Sequence, residues 1–286
     1  MNSILITGST GFVGSNLLDN LYEENKIYLI IRKRNQVKNL IKKYKNVNII
    51  FYNKINELNK KLKNYKIDIV IHCATHYVKE HSYSDIQKLA NSNILFGNII
   101  LENLDIMNVK KFINLSTVWE DYNSIKDDNP NLYSVYKKSF SHLINFYKKK
   151  FINISFYNIM ISDTFGKGDK RIKLINVLKN NYKKNKKTKI ISKNLYLNLL
   201  NVEDIFSAVN IIVNKKVKPD QYLLKNKKDY KITDIIYAFN KFFKKKIHVN
   251  WISSKIIKQK IYSYKKFNNW TPKKSQLQDI INIIKN

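Results

Sequence analysis

The sequence predicts an α/β fold: a doubly wound parallel sheet with a smaller C-terminal α+β lobe. Three observations carry this expectation. From Ser3 to Asn158, short β-branched apolar runs alternate with helical patterns, the rhythm of parallel strands joined by helical crossovers. A glycine turn, GSTGFVG at positions 8–14, joins the first run to the first helical pattern. Beyond Asn158 the rhythm breaks into short mixed segments. With 44% hydrophobic residues in 286, the chain is long enough and apolar enough to bury a sizeable core.

Ser3–Thr7 reads as a buried strand, and Leu17, Leu18 and Leu21 mark the following helix. Three of the six glycines, Gly8, Gly11 and Gly14, lie in the turn between them. Glycine permits a tight turn and lets backbone N–H groups approach a diphosphate, to which the helix N-terminus adds its partial positive charge. The intervening Ser9, Thr10, Phe12 and Val13 belong to the same cradle, so the expected domain is of Rossmann type. Ile27–Ile31 is the second strand. It ends in Arg32-Lys33-Arg34 and no acid. Only three of 53 basic residues are arginine: Arg32, Arg34 and Arg171. A guanidinium pairs phosphate through a rigid fork that lysine lacks. Arg32 and Arg34 are therefore expected to hold the 2′-phosphate of NADP, where an acid would select NAD.

Val47–Tyr52 and Ile67–His72 read as further strands, followed by a long helix from about Ser84 to Met107. Lys111–Ser116 is a strand, Asn131–Lys149 a helix and Phe151–Asn158 a strand. Asp163–Lys170 reads as a polar loop, Arg171–Asn181 as a helix, Leu195–Leu200 as a strand and Val202–Val213 as a helix. Residues 1–160, rejoined by 195–215, make up the expected dinucleotide-binding domain. Residues 161–194 and 216–286 make up the substrate lobe, over the sheet edge where ligands bind in such folds.

The net charge of +32 raises the question of nucleic acid. The excess is scattered as Lys among Asn, Ile and Tyr rather than gathered into a stripe, so no nucleic-acid partner is expected. The single cysteine, Cys73, excludes an internal disulfide and suits a reducing cytoplasm. MNSILITG has no basic region before a long apolar segment, and no run approaches eighteen apolar residues. Neither a signal peptide nor a membrane span is expected. His72, His76 and His81 lack the carboxylate or thiol cage of a metal site; they read as cleft or core residues, and no metal is expected.

Tyr133 and Lys137 form a YxxxK pair inside the Asn131–Lys149 helical pattern. At i and i+4 they share one face, and an ammonium beside a phenol is expected to lower its pKa toward use as an acid or base. Sixteen residues earlier, Ser116-Thr117 ends an apolar strand and sets a hydroxyl at the sheet edge.

With these residues in place, the chain resembles the extended short-chain dehydrogenase/reductase family of NAD-dependent epimerase/dehydratase type, which acts on nucleotide sugars. The resemblance runs from Ile4 to about Val213. Val70-Ile71-His72-Cys73-Ala74 is similar to the family's fourth strand, Asn93 with Gly97 to its Asn-x-x-x-Gly helix, Phe165–Asp169 to its Tyr-Gly-Pro-Gly-Asp loop and Asn201–Asp204 to its Val-x-Asp segment. It implies Thr117, Tyr133 and Lys137 as the catalytic set, with Gly8, Gly11 and Gly14 on the cofactor diphosphate and Cys73 and Ala74 beside the cofactor. Asn53 stands where an acid often meets the adenine, Lys167 replaces a proline, and Tyr136 replaces a common serine. In the 4,6-dehydratases of the family an Asp-Glu pair follows the strand-end threonine; here Val118-Trp119 follow it, with Glu120 and Asp121 displaced. The chain is more similar to the reductases that finish deoxysugar nucleotides, such as CDP-abequose and CDP-paratose synthases. That implies NADPH-dependent reduction of a 4-keto group on a nucleoside-diphosphate 6-deoxy or 3,6-dideoxy sugar, for surface polysaccharide. His76, Tyr77, Thr117 and Arg171 are expected at the substrate, Arg171 on its diphosphate. A 4-epimerase with tightly bound NAD, and a non-catalytic NADP- or RNA-binding protein, are the alternatives. The family also implies a homodimer through the two long helices.

Overall fold

The structure is a computed structural model and describes residues 1–32, 34–261 and 264–285, with side chains given except at 34 and 35. Six strands, β1 (Ser3–Thr7), β2 (Lys26–Ile31), β3 (Val47–Phe51), β4 (Ile69–His72), β5 (Lys111–Thr117) and β6 (Ser155–Ile161), lie in one parallel sheet. Gln221–Leu224 and Lys265–Lys266 extend it to eight strands. From one edge the order is Lys265–Lys266, Gln221–Leu224, β6, β5, β4, β1, β2, β3. The winding reverses between β1 and β4, which opens a crevice beyond their carboxyl ends.

Alternation along the strands builds two helical layers, because successive side chains of a strand point to opposite faces. Ile4 and Ile6 pack with Leu17, Leu18 and Leu21 of α1 (Phe12–Leu21) and with Ile205 and Val209 of the helix Val202–Asn214. Leu5 and Val70 face the other way, onto α3 (Ile55–Leu62), α5 (Phe96–Glu102) and α6 (Leu132–Lys150) through Leu58, Ile100 and Phe140. The helices α2 (Arg34–Lys43) and α4 (Tyr83–Ala90) complete the set. The C-terminal lobe has its own core, in which Ile175, Leu178, Ile235, Phe239 and Ile280 meet.

The expected elements differ from the observed ones where apolar residues serve turns. The strand expected at Phe151–Asn158 is Ser155–Ile161. Phe151 N–H instead bonds the Tyr147 carbonyl, and Ile154 N–H bonds Phe151, so a helix cap and a turn supply the early apolar residues. The helix expected over Ser84–Met107 is three pieces: α4, a π-helical turn at Asn91–Leu95, and α5, which ends at Glu102. Leu104 and Met107 continue the apolar period because the following turns are buried. Leu195–Leu200 divides at Asn198, whose amide donates to the Asn226 carbonyl (3.1 Å) and to Asp229 (2.7 Å). The helix expected from Arg171 begins at Leu174. Gln221–Leu224, assigned from the sequence to the smaller lobe, pairs with β6 in the large sheet.

Candidate active site

A cavity of about 1070 Å³ opens over the carboxyl ends of β1 and β4. The whole turn Gly8, Ser9, Thr10, Gly11, Phe12, Val13 and Gly14 lines one side. Gly8 adopts φ +68°, and a Cβ there would stand 2.6 Å from the Ala74 nitrogen. A Cβ on Gly14 would lie 2.3 Å from the Gly8 carbonyl oxygen. Only glycine lets β1, the turn and α1 approach this closely. Thr7 ties the crevice together: its hydroxyl accepts from Cys73 N–H and Ala74 N–H, both at 3.2 Å, and lies 3.0 Å from His72 Nδ1. The buried hydroxyl of Ser9 has no partner among the described residues, so the turn keeps a polar atom for a ligand. These features fit a dinucleotide diphosphate.

The lining continues through Arg32, at the end of β2, to Gln36, Tyr52 and Asn53, and across to Cys73, Ala74 and Leu95. Arg32 is exposed and its positive charge reaches the Tyr52 phenol. The Arg34 side chain lies outside the described residues. Burial pushes the Cys73 thiol up to about 12, which makes it a wall rather than a nucleophile. Among the described residues there is no group of three His, Cys, Asp or Glu side chains placed to hold a metal.

The catalytic candidates come from β5 and α6. Asn131 caps α6, accepting from Ser134 N–H at 2.9 Å while the Ser134 hydroxyl returns to Asn131. This capping box sets Tyr133 in the first turn of the helix, facing the cavity. Thr117 lines the same cavity, and its Oγ1 accepts from Trp119 N–H at 3.3 Å, which leaves its own O–H to donate. Lys137 is buried and donates from Nζ to the Leu115 carbonyl at 2.8 Å. The phenol is not depressed, contrary to the sequence expectation. Burial raises Tyr133 well above the ordinary phenol value, with a hydrogen bond to Thr75 opposing, while desolvation brings Lys137 down to about 8. Burial thus favours the protonated form of the Tyr133 phenol.

Next to these groups, Tyr77 meets Tyr133 edge-on with centroids 5.0 Å apart. Lys173 Nζ lies 4.7 Å from the Tyr77 ring centroid and 4.8 Å from that of Trp119, with Asp163 at 3.2 Å. His76 is placed differently from expectation: Thr75 and Tyr77 line the cavity, whereas His76 Nε2 turns toward Asp85 at 3.7 Å. Asn93 of the π-helical turn holds this loop, accepting from His76 N–H at 2.6 Å and from the Thr75 hydroxyl at 3.1 Å. His72 is a core residue, stacked among Phe96, Phe112 and Phe140. Arg171 lines the cavity above the Phe12 ring, but its fork is filled from within the chain. Nε donates to Asp169 Oδ1 at 2.7 Å and Nη2 to Oδ2 at 2.8 Å, and Nη2 also reaches Thr164. Sequence reasoning passed over Thr75, Ser162 and Lys173, all of which line the cavity and none of which lies in a spaced motif, and it noted Trp119 only as the replacement of an acid.

Comparison with known proteins agrees with this geometry. A family model described as "NAD dependent epimerase/dehydratase family" matches residues 4–224. A CDP-abequose synthase of Yersinia pseudotuberculosis is 26% identical over 216 residues, covering 74% of this chain and 73% of that protein. A dTDP-D-glucose 4,6-dehydratase of Dictyostelium discoideum is 32% identical over 246 residues, covering 75% of this chain and 56% of that protein. A solved structure of a Bacillus cereus UDP-glucuronic acid 4-epimerase mutant, in complex with a fluorinated UDP sugar and NAD, superposes with TM-score 0.79 at 21% identity, covering 99% and 98% of the two chains.

Proposed function

The chain belongs to the NAD dependent epimerase/dehydratase family, and from that premise we propose that it reduces the 4-keto group of a nucleoside-diphosphate 6-deoxy or 3,6-dideoxy sugar with NADPH. The observation that carries this reading is the turn after Thr117. Trp119 faces the cavity there, Glu120 is buried, and Asp121 pairs with Lys138 at 2.7 Å. Elimination of water needs an acid and a base at the sugar, and this turn presents neither. Reduction needs one proton donor, which Tyr133 supplies. The curated similarity to CDP-abequose synthases points the same way.

Gly8–Gly14 would hold the cofactor diphosphate, Arg32 its 2′-phosphate, and Asn53, Cys73 and Ala74 its neighbouring walls. Bound there, the reduced dinucleotide supplies a hydride for C4. The Thr117 hydroxyl donates to the sugar carbonyl and holds it beside the phenol. Tyr133 then delivers its proton to the carbonyl oxygen as the C–H bond forms, leaving an alcohol and a phenolate that the Lys137 ammonium stabilises. Tyr77, Trp119 and Lys173 would pack the sugar and its diphosphate. The exposed apolar side chains Ile86 on α4 and Val135 and Phe146 on α6 support a homodimer through these helices.

The test is NADPH oxidation with CDP-, dTDP- and GDP-linked 4-keto-6-deoxy sugars, with the product identified. Turnover with one of them and formation of the 4-hydroxy sugar is the expected result. Protein that carries NAD(H) through purification, leaves NADPH unconsumed and interconverts 4-epimers would make it an epimerase instead.

A further inference from the structure

Between β5, β6 and α6 lies a buried polar cluster that the reaction above does not use. Glu120 is 1% exposed. The Ser116 hydroxyl donates to its Oε1, and the Ser141 hydroxyl donates to Oε2 at 2.8 Å and to Oε1 at 3.0 Å. Behind Ser141, Asn158 donates to the serine oxygen at 2.9 Å, and Asn114 donates to Asn158 at 2.7 Å. Every link of the chain donates toward the carboxylate, which is how a protein solvates a buried anion without water.

Lys137, 4% exposed, lies on α6 with Ser141 and reaches across to β5. Its Nζ bonds the carbonyl of Leu115, the residue before Ser116, and Ser141 lies one helical turn beyond Lys137 on the same face. Ammonium and carboxylate are therefore anchored through neighbouring residues in a water-poor layer, where charges interact strongly. We infer that Glu120 is a positioning residue for the reaction, whose serine-clamped carboxylate supplies the negative potential that keeps Lys137 charged behind Tyr133.

The other groups facing the pair do not replace it. Lys138 is engaged by Asp121, and Tyr264 O–H donates to Asp121 at 3.0 Å. His72 is kept neutral by burial, as is the Cys73 thiol, and Tyr133 is protonated. Glu120 raises Lys137 against the desolvation that depresses it, and is itself raised to about 7 by burial.

The inference rests on the ketoreductase reading only for its kinetic consequence, so its primary readout needs no substrate. Glu120→Gln keeps the size of the side chain and can still accept the serine hydrogen bonds. Lys137 is followed by ¹³Cε NMR titration of lysine-labelled protein, its signal assigned by loss in Lys137→Arg. The expected result is a Lys137 midpoint lower by about one pH unit, hence about tenfold less ammonium above it. The alkaline limb of kcat falls by the same shift, with KM for the sugar nucleotide unchanged. Ser141→Ala, which weakens the clamp and should fold if Glu120→Gln does not, shifts the midpoint in the same direction by less. An unmoved midpoint with a lowered melting temperature would mean that Glu120 only holds the core together, and would overturn the inference. Absence of turnover on every 4-keto sugar would remove the proposed function while leaving the titration to decide this one.

Discussion

The proposed acid role of Tyr133 depends on its surroundings more than on Lys137. Burial holds its proton against the opposing bond from Thr75, and Lys137 donates instead to the Leu115 carbonyl. Tyr133→Phe removes the only proton this mechanism delivers, so kcat should drop on the order of 10²- to 10⁴-fold, with cofactor affinity retained; near-full turnover would displace Tyr133 from its role. Arg32, also in the cavity lining, has a separable role in the proposed reaction. Charge-assisted hydrogen bonds are worth about 1.5–3 kcal/mol, so Arg32→Ala should weaken NADPH binding by about tenfold or more and leave NADH nearly unaffected. Equal losses for both cofactors, measured by calorimetry, would remove the phosphate contact. At this scale the sequence was informative for charge and chemical type. It did not give direction: His76 turns to Asp85, and Arg171, though in the cavity lining, closes its fork on Asp169, because side-chain direction depends on the folded surroundings.

Among the elements, the strand–turn–helix formed by β1, the glycine turn and α1 is the most constrained. The contact expected of a Cβ at Gly14 is with backbone atoms, the Gly8 oxygen at 2.3 Å and carbon at 2.7 Å, so no side-chain rotation relieves it. Gly14→Ala should cost about 1–3 kcal/mol in stability, as overpacking does, and should open the diphosphate cradle. The expected readouts are a lower urea midpoint and loss of dinucleotide binding; a variant with unchanged binding would show that the turn is not the cradle. The π-helical turn at Asn91–Leu95 escaped sequence reading for a simple reason. Its apolar period is still close to helical, and the extra residue shows only when Asn93 is seen bonded to the loop after β4. π-turns of this kind collect at functional sites.

At the scale of the whole molecule, two buried groups give stability opposite dependences on pH. His72 is held down to about 3 from its ordinary 6.5. Between those values the unfolded chain binds a proton that the folded chain refuses, so stability falls as pH drops below 6.5. Glu120 is raised from 4.5 to about 7. In that window the folded state holds the extra proton, so stability rises as pH falls. The wild-type slopes partly cancel between pH 7 and 5. His72→Phe should therefore gain urea resistance on acidification relative to the wild-type chain, and Glu120→Gln should lose it; parallel pH profiles for all three would contradict the burial argument. The proposed dimer is also a property of the whole. Val135 and Phe146 are eleven residues apart on α6 and share a face, with Phe146 60% exposed. Phe146→Glu should convert a dimer to a monomer in light scattering, and a wild-type monomer would remove the proposal.

The sequence by itself determined the parallel-sheet architecture, the glycine cradle, the Thr117–Tyr133–Lys137 order and the missing carboxylate after Thr117. Each of these is written in short-range spacing, and backbone sterics and helix periodicity translate such spacing directly into position. Tertiary structure alone decided that Gln221–Leu224 completes the sheet, that the fork of Arg171 is spent on Asp169, and that Glu120 and Lys137 are both buried. Those outcomes come from contacts between residues far apart in the chain and from the loss of water around them, which residue order does not encode locally.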